Sequence, residues 1–208
     1  MRKNDLYPVL TALFVGALLI SNIIAFKLIE VAGFLLPAAV IVFPVVYIVN
    51  DVLAEIYGFK KARLAILSGF GVNLMAVIFY NIAIALKSPV WFEGSEAFAI
   101  VLSNSLRILI ASFAAYLVGT TLNSYVMTKM KRDNPTGGKG LFGRAVLSTV
   151  FGESVDALIF ISIAFIGSMP IESLLIMIAS QAAFKILYEI VVFPVTKFVI
   201  RKIDLLPA

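Results

Sequence analysis

Residues 9–26, 31–50 and 64–86 of this chain contain no charged side chain, and three further runs are nearly as bare. Residues 97–128 hold one charge, Arg107; 145–171 hold Glu153 and Asp156; 173–196 hold Lys185 and Glu189. About 20 mostly apolar residues in a helix cross the roughly 30 Å hydrocarbon core of a bilayer, so each run is long enough to span. Lipid offers backbone polar groups no partners, which leaves only helices and closed barrels as spanning structures. The period-two alternation of barrel strands is absent. The expectation is an all-α integral membrane protein, a bundle of six transmembrane helices. It forms a single membrane domain over residues 1–208, with spans near 8–27, 33–56, 64–86, 97–128, 145–167 and 171–200. Of the 208 residues 62% are apolar and 14% charged, against about half and about a quarter in soluble domains. Polar surface is too scarce to cover a globule in water.

The net charge of +5 invites a nucleic-acid reading, which the placement of the charges removes. Arg2 and Lys3, then Lys60, Lys61 and Arg63, then Lys129, Lys131, Arg132, Lys139 and Arg144, then Lys197, Arg201 and Lys202 fall on one side of the six spans. The other side has Lys27 and Lys87. Lys and Arg concentrate on the cytoplasmic side of membrane proteins, so both termini are expected in the cytoplasm and no nucleic-acid partner is needed. The first run is too long for a signal-peptide core and no small-x-small cleavage site follows Ser21, so it reads as the first transmembrane helix. Trp91 and Phe92 fit an outer interfacial anchor, Tyr7 and Tyr57 an inner one. The glycine-rich loop at 134–140 misses the spacing of a nucleotide-binding P-loop. Cysteine and histidine are both absent, which excludes disulfides, Cys or His nucleophiles and His proton relays. No metal-ligand set or nucleophile–base constellation is visible, so neither an enzyme nor a cofactor is expected.

Charges at depth are the informative residues, because an ionisable group in the hydrocarbon is costly and normally faces a bundle interior or cavity. At 1.5 Å per residue, Arg107 lies about 15 Å, Glu153 and Asp156 about 13–18 Å and Lys185 about 20 Å into their spans. Glu189 is one turn deeper than Lys185. Helical spacing puts Tyr47, Asp51 and Glu55 on one face, Glu153 with Asp156 on another, and Gln181, Lys185 and Glu189 in an i, i+4, i+8 stripe. A purely structural reading would pair Lys185 with Glu189 and Arg107 with Asp156. Interhelical polar contacts in membranes are worth under about 1 kcal/mol on average, while inserting a charge costs about 3. Five such charges are an expensive way to hold six helices, and a polar binding cavity explains them better. Asn73 and Asn81 read as interhelical glue, with Asn22 between glue and site. The spacing of Ala111, Ala115 and Gly119 lets helix backbones approach closely, within the chain or at a dimer interface. Pro37, Pro44 and Pro194 mark places where helices can break, as they do around transporter sites.

The stretch Asn50-Asp51-Val52-Leu53-Ala54-Glu55-Ile56-Tyr57-Gly58-Phe59-Lys60 resembles that of the queuosine-precursor transporters, the vitamin uptake transporter family. Arg107 with Ala111-Ser112, Ser148-Thr149 followed by Glu153 and Asp156, Phe160 with Ala164-Phe165-Ile166-Gly167, and Lys185 with Pro194 are also similar. The family usually shows Thr at Asn50, Asp at Asn123, Trp at Phe142 and Gln at Glu153; the last difference bears on substrate preference or proton coupling. The resemblance implies uptake of 7-cyano-7-deazaguanine and 7-aminomethyl-7-deazaguanine across the bacterial cytoplasmic (inner) membrane. A guanine-like edge offers adjacent N–H donors to a carboxylate, and Phe160, Phe165, Phe184 and Tyr47 offer stacking faces. Glu153 and Asp156 are then expected at the base, Asp51 and Glu55 on the inner side, and Arg107 and Lys185 in charge balance. Gln181, Glu189, Asn22 and Tyr47 complete the expected site, and six short helices make a homodimer plausible. The alternative of the same class is a substrate-capture subunit of an energy-coupling-factor transporter, which would need an ATPase partner.

Overall fold

The computed structural model describes residues 2–133 and 141–207, without the side chains at 123, 124, 127, 128, 130–133, 141–146 and 148. The basic loop at 134–140 and the side chains of Asn123, Phe142 and Ser148 lie outside the described residues. The helices are α1 (Lys3–Ile24), α2 (Phe43–Ala85), α3 (Ser95–Leu102), α4 (Ser105–Asp133), α5 (Leu141–Phe165) and α6 (Ile171–Asp204). Among the described residues four helical stretches are long and apolar enough to cross a membrane: Lys3–Ile24, Phe43–Ala85, Ser95–Leu122 and Ile171–Asp204. Large apolar side chains stand open along them, among them Leu13 and Ile20 on α1, Phe79 and Ile82 on α2, and Leu175 and Leu187 on α6. Open apolar surface on this scale is suited to lipid, not water. The molecule is a predominantly helical, multi-pass membrane protein.

Two compact units make up the chain. The first comprises Met1–Leu28, Pro37–Leu109 and Ile190–Ala208. Its core is the seam between α1 and α2. A Cβ on Gly69 would stand 2.9 Å from Leu18 Cδ2 and 3.2 Å from Phe14 Cε1, so any larger residue here would have to displace the ends of those two side chains. One turn further along both helices, Asn22 Nδ2 donates to Asn73 Oδ1 at 2.9 Å, and Asn73 Nδ2 donates to the Gly69 carbonyl at 2.9 Å.

Helix α2 is broken at Gly58, whose φ of 79° and ψ of 165° lie in a region that essentially only glycine occupies. The expected connection at Lys60, Lys61 and Arg63 is therefore helical, and the chain turns at the glycine just before it. The arm 43–57 is only about 22 Å long at 1.5 Å per residue, too short to cross the hydrocarbon alone.

A single helix expected from residue 33 is also corrected. Strands β1 (Leu28–Val31) and β2 (Phe34–Pro37) form a two-stranded sheet, followed by a 3-10 turn, Ala38–Ile41. The hairpin turns on Ala32 (φ 52°) and Gly33 (φ 83°), the pair of positive φ values a type I′ turn requires. A continuous apolar run reads alike for a buried strand and a buried helix, which is why the sequence did not separate them. The 3-10 turn is tied to the end of α1 by the Ala38 N–H, which donates to the Lys27 carbonyl at 2.7 Å. Ala38, Ala39 and Val40 are buried, as non-helical backbone at membrane depth must be. Pro37 closes β2, and Pro44 sits in the first turn of α2, where its missing N–H costs nothing.

The run expected as one helix over 97–128 is interrupted at Ser103 and Asn104. The Ser105 hydroxyl donates to the Leu102 carbonyl, the local side-chain bond by which serine competes with a helix ladder.

At one end of this unit the two chain termini and the α2 break come together. The Lys3 N–H donates to the Pro207 carbonyl at 2.8 Å, and the Lys3 ammonium reaches Asp204 Oδ1 at 2.7 Å. The Tyr57 hydroxyl donates to the Lys3 carbonyl at 2.7 Å, and the Tyr7 hydroxyl to the Lys61 carbonyl at 3.1 Å. The Tyr7 and Tyr57 rings meet edge-on at 5.2 Å, with the Lys61 ammonium over both.

The second unit comprises Ile29–Leu36 and Ile110–Glu189. Its small-residue stripe is used inside the chain. Ala111 and Ala115 are buried, and a Cβ on Gly119 would stand 3.0 Å from Asp156 Cβ and 3.2 Å from the Gly152 carbonyl oxygen of α5. That stripe is therefore not a free face for a second copy. Helix α5 ends at Phe165 and the chain turns at Gly167 (φ 80°), with the Ser168 N–H donating to the Phe165 carbonyl at 2.9 Å, and Pro170 immediately precedes α6. The short connection makes α5 and α6 antiparallel neighbours. Pro194 lies inside the continuous α6, without ending it.

Candidate functional site

The seam between α5 and α6 in the second unit gathers polar residues in register. Glu153 and Asp156, three residues apart, share a face of α5. Lys185 of α6 is only 6% exposed, and its ammonium lies 3.2 Å from Glu153 Oε2 and in a direct, hydrogen-bonded ion pair with Asp156 Oδ2. The two carboxylates keep about a fifth of their side-chain surface open, 20% for Glu153 and 19% for Asp156. The formal charge of this trio is −1. One turn along, the Thr149 hydroxyl donates to Glu189 Oε1 at 3.1 Å. The two rungs, Thr149 to Glu189 and Glu153 to Lys185, follow the antiparallel register of the helices.

Gln181, one turn from Lys185 on the other side, is 1% exposed and level in that register with the buried Ala157. Phe160, also buried, meets Phe165 edge-on at 6.4 Å, and Phe184 stacks on Tyr188 at 6.2 Å. The seam thus combines an acidic, partly open cluster with a buried amide and aromatic faces. Such a set can accept N–H donors through charge-assisted bonds.

Of the residues expected in a site, Glu153, Asp156 and Lys185 are brought into contact, with Gln181 and Glu189 on the same stripe of α6 and Phe160 one turn from Asp156. Lys185 reaches across the seam to both acids of α5. Thr149 was missed as the partner of Glu189. Its signal was available, since it stands four residues before Glu153 and extends the polar face of α5 by one turn.

The other expected residues lie in the first unit. Asn22 is part of the α1–α2 seam through its bond to Asn73, the glue role that its spacing left open. Asp51 and Glu55 share the open face of the short arm of α2, opposite the buried Val49, Val52 and Leu53. Tyr47 meets Phe43 edge-on at 5.9 Å. Arg107 is in the first turn of α4, immediately after the interruption at Ser103 and Asn104. Among the described residues no group of three or more His, Cys, Asp or Glu side chains is placed to hold a metal ion.

Residues 37–199 match a protein family described as "Putative vitamin uptake transporter". The range takes in every expected site residue except Asn22. The chain is 26% identical over 175 residues to a Bacillus subtilis protein named "Probable queuosine precursor transporter", an alignment covering 84% of this chain and 76% of that protein. It is 32% identical over 126 residues to a Haemophilus influenzae protein of the same name, covering 61% of this chain and half (50%) of that protein. No solved structure gives a significant match. With most of its length inside that match, the chain belongs to the vitamin uptake transporter family, a family of transporters and not of enzymes.

Proposed function

We propose that this protein takes up queuosine precursors, 7-cyano-7-deazaguanine and 7-aminomethyl-7-deazaguanine, through the acidic seam of α5 and α6. The observation that carries the reading is the Lys185 ammonium held between Glu153 and Asp156 on a neighbouring helix. Three ionised groups in a bilayer are costly without a use, and their carboxylates stay partly open. In the proposal Glu153 and Asp156 accept the N–H donors of the guanine-like edge, and Lys185 holds the two acids while the site is empty. Phe160 supplies a stacking face.

The proposed topology has six crossings, made by α1, the 3-10 turn Ala38–Ile41 together with the first arm of α2, the second arm of α2, the α3–α4 run, α5 and α6. Both termini lie on the cytoplasmic side of a bacterial inner membrane. The meeting of Lys3 with Asp204 and Pro207 beside the basic Lys61 supports a common side for both termini.

Substituting Asp156→Ala is expected to abolish precursor uptake in cells that lack the synthesis pathway. Normal uptake by a well-expressed variant would refute the site. Uptake by the purified chain alone in proteoliposomes is expected. Dependence on an added ATPase module would instead establish the substrate-capture subunit of an energy-coupling-factor transporter.

A further inference from the structure

Among the described residues two buried side-chain oxygens have no hydrogen-bond partner, Thr11 Oγ1 and Gln181 Oε1. A threonine hydroxyl within a helix can rotate toward a carbonyl one turn back, so a rotation about one bond offers Thr11 a partner in its own helix. An amide oxygen only accepts, and no such local donor exists for it inside a helix. Leaving a buried acceptor unpaired costs about 1–3 kcal/mol, and native proteins rarely retain one without a reason. Gln181 is moreover on the same face of α6 as Lys185, about 6 Å away by helical spacing. Its neighbour in that stripe is thus the ammonium that Glu153 and Asp156 hold.

We infer that Gln181 is a specificity-determining residue whose Oε1 accepts a hydrogen bond from an N–H donor of the transported solute. The inference rests on the transport reading above and deepens it. The carboxylates of α5 take one N–H edge of a flat heterocycle, and Gln181 takes a further donor about one helical turn away. The ligand class this selects is a planar base with N–H donors on two edges. A base with an acceptor or a methyl group at the second position leaves Gln181 unpaired and is rejected. A site built to bond a polar group discriminates by much more than a hydrophobic pocket does.

The test compares the wild-type chain with Gln181→Met, which keeps the length of the side chain and removes the acceptor, and with Gln181→Glu, which keeps an acceptor oxygen. Each is purified in detergent. Binding is measured for 7-aminomethyl-7-deazaguanine, 7-cyano-7-deazaguanine, guanine, and guanine methylated in turn at N1, N2 and N9. Thermal unfolding is followed without ligand. The expected result is an unliganded Gln181→Met that melts at or above the wild-type temperature, because an unpaired buried acceptor has been replaced by an apolar group. Its affinity for the parent bases falls about tenfold or more, while Gln181→Glu binds more tightly than Gln181→Met. One of the methylations that weakens binding to the wild type has no further effect in Gln181→Met.

If Gln181→Met melts earlier than wild type and binding falls only in proportion, Gln181 is structural and the inference is overturned. It is equally overturned if Gln181→Met binds every base as the wild type does while the wild type binds well, an outcome that leaves the transport reading standing. Failure of the wild-type chain to bind any of the bases removes the transport reading and this inference with it.

Discussion

The Lys185 ammonium on α6 stands 3.2 Å from the Glu153 carboxylate on α5 and is shared with Asp156 on the same helix face. One cation therefore holds two acids across a seam where the lysine is almost fully buried. Loss of one partner from a buried ion pair costs about 3–5 kcal/mol, because the remaining charge is left uncompensated. Lys185→Met is expected to lower the stability of the detergent-solubilised protein by about 3 kcal/mol. Adding Glu153→Gln and Asp156→Asn to the same chain is expected to recover most of the loss. Thermal unfolding of the three chains checks this, and an unchanged midpoint for Lys185→Met would mean that water already screens the acids.

Gly58 breaks α2 at a backbone conformation closed to other residues, one turn beyond Glu55 and next to Tyr57, whose hydroxyl reaches Lys3. Nothing lies within 4 Å of where its Cβ would stand, so the cost of a substitution is backbone strain and not a clash. Gly58→Ala is expected to destabilise the protein by about 1–3 kcal/mol. Gly16 and Gly71 also have open space at Cβ but lie in regular helix, where alanine is favoured over glycine by up to about 1 kcal/mol. Gly16→Ala and Gly71→Ala are therefore expected to be neutral or mildly stabilising. Equal melting temperatures for all three variants would show that α2 does not need its break.

These two elements mark what the sequence discloses and what it conceals. The charges at 153, 156 and 185 were legible because lipid makes every ionised group demand a partner, and helical spacing put the two acids on one face. That Lys185 would reach the acids of α5 was not legible, since spacing along one helix says nothing of its neighbour until the register of the seam is known. The hairpin at Leu28–Pro37 was hidden inside a run whose apolarity suits a helix as well as a strand, and Ala32-Gly33 is a weak turn signal beside Asn-Gly. The interruption at Ser103 and Asn104 was hidden for a different reason. It uses no proline or glycine, only short polar residues, with the Ser105 hydroxyl bonded to the Leu102 carbonyl. Gln181 was legible as polar and misplaced in lipid, but its unpaired oxygen belongs to tertiary packing.

Lys3 and Asp204 form the contrasting ion pair. Their oxygen–nitrogen distance is 2.7 Å, yet the Asp204 side chain is 70% exposed. Exposed pairs contribute about 0–1 kcal/mol and are screened by salt. Lys3→Ala and Asp204→Ala are each expected to cost less than about 1 kcal/mol, and a double-mutant cycle in 0.5 M salt is expected to show no coupling. A larger, salt-independent coupling would mean that the end where the termini meet is held as tightly as the buried seam.

Gly119 links helix packing to the proposed site. A Cβ there would stand 3.0 Å from Asp156 Cβ and 3.2 Å from the Gly152 carbonyl oxygen. Neither neighbour is the free end of a flexible side chain, so α4 and α5 would have to separate. Overpacking of this kind costs about 1–3 kcal/mol, and here it would also displace the acid that Lys185 holds. Gly119→Ala is expected to lower stability within that range and to reduce precursor uptake more than the loss of folded protein explains. Uptake normalised to the folded carrier in the membrane separates the two effects. A normalised rate equal to wild type, with stability reduced, would confine Gly119 to packing and show that uptake tolerates a displaced Asp156.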